Sequence, residues 1–559
     1  MCSADDHCVG PQAEFLTFPW QDSFCLNHST PHLIVGAGAA GCAAAKCFAA
    51  AGLARDVVWL EQHNEPGGCA GYFSRGAPRR SYDAGATQLI ECAPGSLQEQ
   101  LYSLAPAENQ TPAEQLFEKI PTITQHWPDR KIAVVLKSDG KVDWQAQRSP
   151  TPEEQKELAV LETFLGHCCN EAAWMWSLLS DIPRFPPQSF EDIRRALMLF
   201  LKVPLQKKIL FPFLFLANAR TFMNFHRVRR DGLANDVLSG LLIDTTQSSP
   251  EKSPWLAAAM GMSILSRGIY RCRKGMRAYF RPSVSAFEER GGTYNPSQSV
   301  IKIETTPEGF LVTSFNRKTQ STTKYLVTDS ALLNLTVWDV VSGLVPQEDP
   351  LRTTRTYRVW EKRAKREHGW GAFALYAVLR DQEAWPAEPH FHQIFPEADE
   401  TPELQSSLYV SIPARNDPAN PPGYRVMTAT LHLESLELSQ AQRQLYATLL
   451  SKRISAALGV ELEQLETAFP RTFEHFTARR GGQVGGYRLT LRNFLFFATP
   501  SMLTHPSKKN AKLLLMGDTV FPGQGVVACS VSGIIAFERA TNLTFRSLLS
   551  KQFGAKNQF

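Results

Sequence analysis

Three glycines at GxGxxG spacing, Gly36, Gly38 and Gly41, lie in the stretch HLIVGAGAAG, His32 to Gly41. The chemistry that this spacing serves is the grip on a dinucleotide diphosphate. Gly36 permits a sharp turn, Gly38 leaves room for a pyrophosphate against the backbone, and Gly41 lets a helix pack closely on a sheet. Ala39 opens that helix, whose first N–H groups and positive dipole end face an anion. A carboxylate, Glu61, ends the apolar run DVVWLE twenty residues beyond Gly41. At that distance an acid accepts both hydroxyls of an adenosine ribose and repels a 2′-phosphate, which disfavours NADP. Two further glycine-rich stretches follow, GGCAGYFSRG from Gly67 and, near the other end of the chain, LLLMGDTVFPGQGVVACSVSG. The second repeats the logic of strand, turn and helix with Gly517, Asp518, Gly523, Gly525 and Val526.

These residues need particular elements to hold them. Leu33, Ile34 and Val35 form a short apolar run suited to a buried parallel strand, and AAGCAAAKCFAAAG is an alanine-rich helix pattern. Strand, turn, helix and second strand in register specify a Rossmann-like α/β unit. A second strand-to-helix turn of the phosphate type recurs about 480 residues later.

At this level of detail the chain resembles the FAD-dependent carotenoid oxidoreductases, a group of phytoene-type desaturases, carotenoid cis-trans isomerases and retinol saturases. The likeness is greatest to the isomerase branch. It is carried by PGGCAGYF (Pro66 to Phe73) and GDTVFPGQG (Gly517 to Gly525), with TFEHFTARRGGQVGG (Thr472 to Gly486) and the stretch from Tyr270 to Glu304 in support. The resemblance implies FAD lying across the Rossmann-like domain. Gly36, Gly38, Gly41 and Gly68 would hold the diphosphate, Glu61 the ribose, and the backbone at Val300 the adenine. Asp518 would bind near the ribityl-diphosphate unless it merely caps a helix, and the amides after Gly525, at Val526, would approach the isoalloxazine. Two departures from the group stand out. Cys69 and Ala70 follow the paired glycines where many relatives carry an Arg, so phosphate charge must be met by backbone dipoles or by another cation. RKGM keeps only Gly275 of a usual glycine pair, which leaves the shape of that loop open.

The expected organisation is an N-terminal extension (1–31), FAD-domain segments at 32–110, 270–346 and 481–545, substrate-domain segments at 111–269 and 347–480, and a tail (546–559). The fold class is thus α/β, with a discontinuous Rossmann-like FAD-binding domain and an inserted α+β substrate domain. In the first insert, TPEEQKELAVLETFLGHCCNEAAWMWSLL has helical periodicity after a Thr-Pro start, and in the second YRVMTATLHL alternates as a strand. Residues 194–230 hold nine Lys and Arg and no Asp or Glu, interleaved with LMLFL and ILFPFLFLANA. Such a mix either docks on an anionic membrane surface or forms core helices with a solvated basic edge. The resemblance tips the balance to peripheral membrane contact, on the cytoplasmic side or at a plastid or thylakoid surface. Its implied partner is a hydrophobic polyene, for which the pocket must be a long apolar tunnel.

Other chemistries find little support. A formal net charge of +5 over 559 residues is too diffuse for a nucleic-acid footprint. Eleven cysteines without CxxC pairs point to reduced structural thiols. His167 beside Cys168, and the pair His390 and His392, lack converging ligands at metal spacing, so no metal is expected. The sequence has no GxSxG elbow and no HExxH, and the catalytic residues stay unassigned. Trp370, Phe373 and Tyr487 either line the pocket or, more simply, fill the core. The uncharged run Thr519 to Phe537 contains Pro522, Gly523, Gln524, Gly525 and Gly533 and suits a buried element better than a lipid-facing one. The first basic residue is Lys46, so the N-terminal stretch lacks the pattern of a targeting peptide. Competing readings are a desaturase or saturase on a similar polyene, and a flavin-free carrier of the GDP-dissociation-inhibitor type, which would not require both phosphate-type turns. An amine oxidase is disfavoured by the FPGQG ending.

Overall fold

The computed structural model describes residues 28–554 except 138–139, 366–368, 397–405, 478–479, 492 and 494–497. Most of the expected extension, the last five residues of the tail, and Ala478 and Arg479 of the quoted C-terminal stretch lie outside the described residues. Five strands run parallel side by side in the order Thr293–Asn295, Val57–Leu60, His28–Val35, Ser321–Leu333 and Lys512–Leu515. In the internal members the stretches Val57–Leu60, Leu33–Val35 and Ala331–Leu333 are apolar and mostly buried, as a helix-covered parallel sheet demands. The long strand Ser321–Leu333 serves two neighbours on one side. Its first half pairs antiparallel with Gly309–Asn316, and its last four residues pair parallel with Lys512–Leu515. The Rossmann-like domain is therefore discontinuous, assembled from three separated parts of the chain.

Two helices lie against each other over this sheet, Ala39–Ala51 and Val526–Thr541. Their contact depends on small residues. A Cβ on Gly533 would overlap the carbonyl oxygen of Ala40, so the pair can sit this close only while that position has no side chain. The second helix accounts for most of the uncharged run Thr519 to Phe537, and it is buried. No single described helix is long and apolar enough to cross a membrane; the one candidate pair, Val526–Thr541 with Phe545–Phe553, is bent by 94°.

The inserted α+β domain is built on an eight-stranded sheet that both inserts share. Its order is Glu463–Ala468, Gly371–Arg380, Tyr424–Leu433, Leu408–Ile412, His390–Ile394, Thr122–His126, Lys131–Leu136 and Val142–Ala146. All pairings are antiparallel except the seam between His390–Ile394 and Thr122–His126, which is parallel. The first insert thus contributes three strands to this sheet ahead of the helix Pro152–Ser180 that its periodicity announced. Its remaining helices, among them Leu233–Thr246 and Trp255–Arg267, pack around Trp255 and Phe222.

Gly533→Ala is expected to overpack the helix pair and destabilise the protein by about 1–3 kcal/mol. A lowered midpoint in urea unfolding, with an unchanged slope, is the measurement that checks it.

Candidate active site

The fingerprint loop follows the strand His28–Val35 and is held from behind by Asn334, the residue after the strand Ser321–Leu333. The Asn334 N–H donates to Val35 O at 2.8 Å, and its side-chain Oδ1 accepts from the Gly41 N–H at 3.0 Å. Gly36 has φ +90°, and a Cβ there would come within 2.8 Å of the Asn334 carbonyl oxygen. Gly41 is excluded from bearing a side chain by the Gly36 carbonyl. The same Asn334 amide lies beside Gly517, so one side chain spans the N-terminal and C-terminal glycine loops. Asn334 gave no sequence signal beyond following an apolar run.

Both helices over the sheet begin at this place. Their N-caps are Gly38 and Gly525, neither of which has a side chain to cap its helix; apart from the Gly41 N–H, held by Asn334, the first-turn N–H groups are left for an external anion. Asp518, one of whose readings was a helix cap, is not one. It pairs with Arg480 at 2.6 Å, and Arg480 also donates to Gly485 O at 2.5 Å and to the Cys69 sulfur at 3.1 Å. The cation that the Cys69 position lacks is therefore supplied from more than 400 residues away in the sequence, by the stretch ARRGG. Burial works against the Arg480 charge, but Asp518, Cys69 and Asp339 together outweigh it and hold the guanidinium pKa above its ordinary value. Its buried Nε has no partner among the described residues.

A cavity of about 1050 Å³ runs between the two domains, at the upper end of the range of roughly 300–1,000 Å³ usual for small-molecule sites. Gly36, Gly38, Ala39, Glu61, Gly68, Val300, Asp518, Gly525 and Val526 all line it. Gly41 does not; it acts one layer back, in the contact of helix with loop. Glu61 is buried, accepts from the His63 N–H at 2.8 Å and from the Ala37 N–H, and stands beside the strand that carries Val300. Burial raises the Glu61 pKa against the pull of those two N–H groups. Gln524 Oε1 is buried without a partner among the described residues, an acceptor left over for a ligand donor. Two bare helix starts, a guanidinium, a ribose-distance carboxylate and an orphan acceptor together fit a dinucleotide.

The other sequence candidates lie elsewhere. Phe373 is fully buried against Tyr446, Tyr487 packs on Trp338 and donates to Arg363 O, and Trp370 stacks under Arg488. None of the three lines the cavity. Gly275 also stays outside it. Its φ of +76° and the nearby Asp83 carboxylate, which accepts from the Met276 N–H at 2.7 Å, fix the loop that the sequence left open. His126, His392 and His390 form a hydrogen-bonded row in the seam of the second sheet, and no group of metal ligands occurs among the described residues.

A family model of an NAD(P)-binding Rossmann-like domain matches residues 34–102. Among solved structures, a double mutant from a redesign of cofactor binding in putrescine oxidase superposes with TM-score 0.59 at 13% identity, covering 92% of this chain and 99% of that one. Cyclohexylamine oxidase from Brevibacterium oxydans IH-35A gives 0.52 at 14%, over 93% and 99%, and a CLA-producing fatty acid isomerase from P. acnes gives 0.52 at 11%, over 93% and 100%. The fold is shared with amine oxidases and a fatty acid isomerase. A search of curated protein sequences finds no match.

Asn334→Ala leaves the Gly41 N–H without its acceptor and uncouples the two glycine loops. The expected loss is about 1–3 kcal/mol of unfolding free energy, measured by urea titration, with weaker uptake of an added dinucleotide by fluorescence.

Proposed function

We propose that the protein is an FAD-dependent enzyme acting on a carotenoid-type polyene, and that the reaction is cis-trans isomerisation without net redox change. The observation that carries this reading is the lining of the cavity, which takes in both glycine-capped helix starts and apolar side chains from two helices that also expose apolar residues to the outside. When bound, FAD supplies the electron-rich or electron-accepting ring that such chemistry needs. The chain's own part is to hold it: Gly38 and Gly525 present the helix starts, Arg480 and Asp518 flank them, and Glu61 and the backbone at Val300 take the adenosine end.

That apolar wall also argues for a substrate taken from lipid. Ala196, Leu199, Phe200, Phe211 and Phe215, from the helices Phe190–Lys202 and Leu205–Leu216, and Val203 between them line the cavity. The first helix is amphipathic in the reverse of the usual sense. Its inner face holds Asp192, 1% exposed and paired with Arg539, and Arg195, paired with the buried Glu538. Its outer face shows Phe190, Leu197 and Leu201 at 83%, 61% and 68% exposure. The second helix buries only Leu214 and exposes Leu205, Ile209 and Leu216. A contiguous apolar face of this size marks an interaction surface, and its geometry suits insertion into the headgroup boundary of a bilayer. Arg194, Lys202, Lys207 and Arg229 are each paired with a carboxylate, so apolar contact outweighs charge in this docking.

Purified protein reconstituted with FAD is expected to be yellow and, after reduction under anaerobic conditions, to isomerise a poly-cis polyene at constant mass. A product lighter by two hydrogens would make it a desaturase, and protein that stays colourless defeats the reading. Arg480→Gln is expected to weaken FAD binding roughly tenfold or more, by loss of a charge-assisted contact, in an equilibrium titration of flavin fluorescence. Leu197→Glu with Leu201→Glu is expected to abolish flotation with neutral phosphatidylcholine vesicles, while the unaltered protein floats with them even at high salt.

A further inference from the structure

Four carboxylates line the cavity, and three of them are accounted for. Glu61 accepts two backbone N–H groups, Asp339 caps its own helix through Thr336, and Asp518 pairs with Arg480. The fourth, Asp244, has no hydrogen-bond or ion-pair partner for its side chain among the described residues. It lies in the last turn of the helix Leu233–Thr246, with Leu241, Met260 and Ile264 on the same cavity wall.

Its place in the fold bears on the chemistry. Gln247, in the left-handed region at φ 53°, ends the helix three positions later. The Gln247 amide nitrogen would be 3.6 Å from a Cβ on Gly485, and Gln524 of the FPGQG loop would be 2.7 Å from the same point. The end of the helix that carries Asp244 therefore meets the loops at the Gly525 helix start, where the reactive end of the dinucleotide is expected. Opposite, the second sheet presents Tyr409 and its cross-strand partner Thr430, with His432 two residues on. The Tyr409 hydroxyl is engaged with Gln88 at 2.8 Å.

We infer that Asp244 is the proton-transferring catalytic residue, giving one proton to the bound polyene and taking another from the same carbon. The inference rests on the polyene reading above. The Asp244 carboxylic acid O–H bond breaks as a C–H bond forms at one carbon of a double bond, whose π pair is consumed. The positive charge spreads along the remaining conjugated chain, with the carboxylate as counter-ion. Rotation about the former double bond follows and turns the carbon's original hydrogen toward the carboxylate; that C–H bond breaks, its electron pair restores the π bond, and its proton goes to Asp244. Atoms and electrons balance without an oxidant or reductant.

The surroundings suit an acid that is neutral near physiological pH. Burial pushes the Asp244 pKa up to about 7, and no cation contributes to holding it ionised. Tyr409 feels the Asp244 charge, and Arg271 acts on Tyr409 from behind. His432 is pushed down to about 4 by burial and by Arg488, so it stays neutral and does not compete as a proton donor at pH 7.

The test uses full-length protein, reconstituted with FAD and reduced under anaerobic conditions, and a poly-cis polyene. Asp244→Asn is expected to bind FAD as the unaltered protein does, with the same flavin spectrum and melting temperature and an unchanged KM, while kcat falls roughly 100-fold or more. In the unaltered protein kcat declines as pH rises through about 7, because the acid loses its proton; Asp244→Glu keeps part of the activity and moves that limb. Turnover in D2O incorporates deuterium into the polyene, and Asp244→Asn removes the incorporation. An Asp244→Asn enzyme with unaltered kcat and pH profile overturns the inference, as does isomerisation without solvent deuterium. So does an enzyme that oxidises amines, with Asp244→Asn raising only KM. If the unaltered protein isomerises nothing, the polyene reading itself has failed.

Discussion

The carboxamide of Asn334 holds together the part of the molecule on which everything else depends. Through its backbone and side chain it fixes the first glycine loop to the end of the long central strand, and it reaches the second loop at Gly517. Two helix starts are thereby aimed into one space, and their uncapped N–H groups add where one alone would be weak. The constraint is steric as much as electrostatic, since Gly36 and Gly41 can occupy their positions only without side chains.

Once the cradle is closed, the site divides by polarity. At one end charges are satisfied internally, as in the Arg480–Asp518 pair, or left bare toward a ligand, as at Arg480 Nε and Gln524 Oε1. Elsewhere the walls are aliphatic and aromatic, and the helices Phe190–Lys202 and Leu205–Leu216 turn further apolar residues outward. A helix whose buried face carries Asp192 and Arg195 can be stable because both are paired with the helix Val526–Thr541, which itself starts at the cradle. That wall is thus braced against the same element that begins the dinucleotide site.

The sequence disclosed those features whose meaning is local. GxGxxG between an apolar strand and an alanine-rich helix is legible because spacing alone fixes what each glycine must do; of the ten residues named from this pattern or from the family resemblance, nine line the cavity. The three strands between Thr122 and Ala146 were not legible, since short runs such as TITQH and VDWQA have little periodicity and are strands because of the sheet they join. Asn334, Arg480 and Asp244 were missed for a different reason. A lone Asn, Arg or Asp has no pattern; each acquires its role from a neighbour hundreds of residues away or from a cavity wall that only the fold creates. The same holds in reverse for Trp370, Phe373 and Tyr487, whose aromatic character fitted a pocket but whose positions serve the core.

The way the two sheets are interleaved has a consequence for how the chain is made. The seam strand His390–Ile394 must meet Thr122–His126, and the parallel sheet gains Lys512–Leu515 only when nearly all of the polypeptide exists. Pairings this distant are slow to form and leave unfinished edges exposed meanwhile. The Rossmann-like domain therefore cannot mature on the ribosome ahead of the inserted one, whose last strand, Glu463–Ala468, is made earlier than Lys512–Leu515. A nascent chain cut short before its last parallel strand would carry an incomplete parallel sheet together with the outward-facing oily helices, a combination that quality-control machinery is suited to intercept.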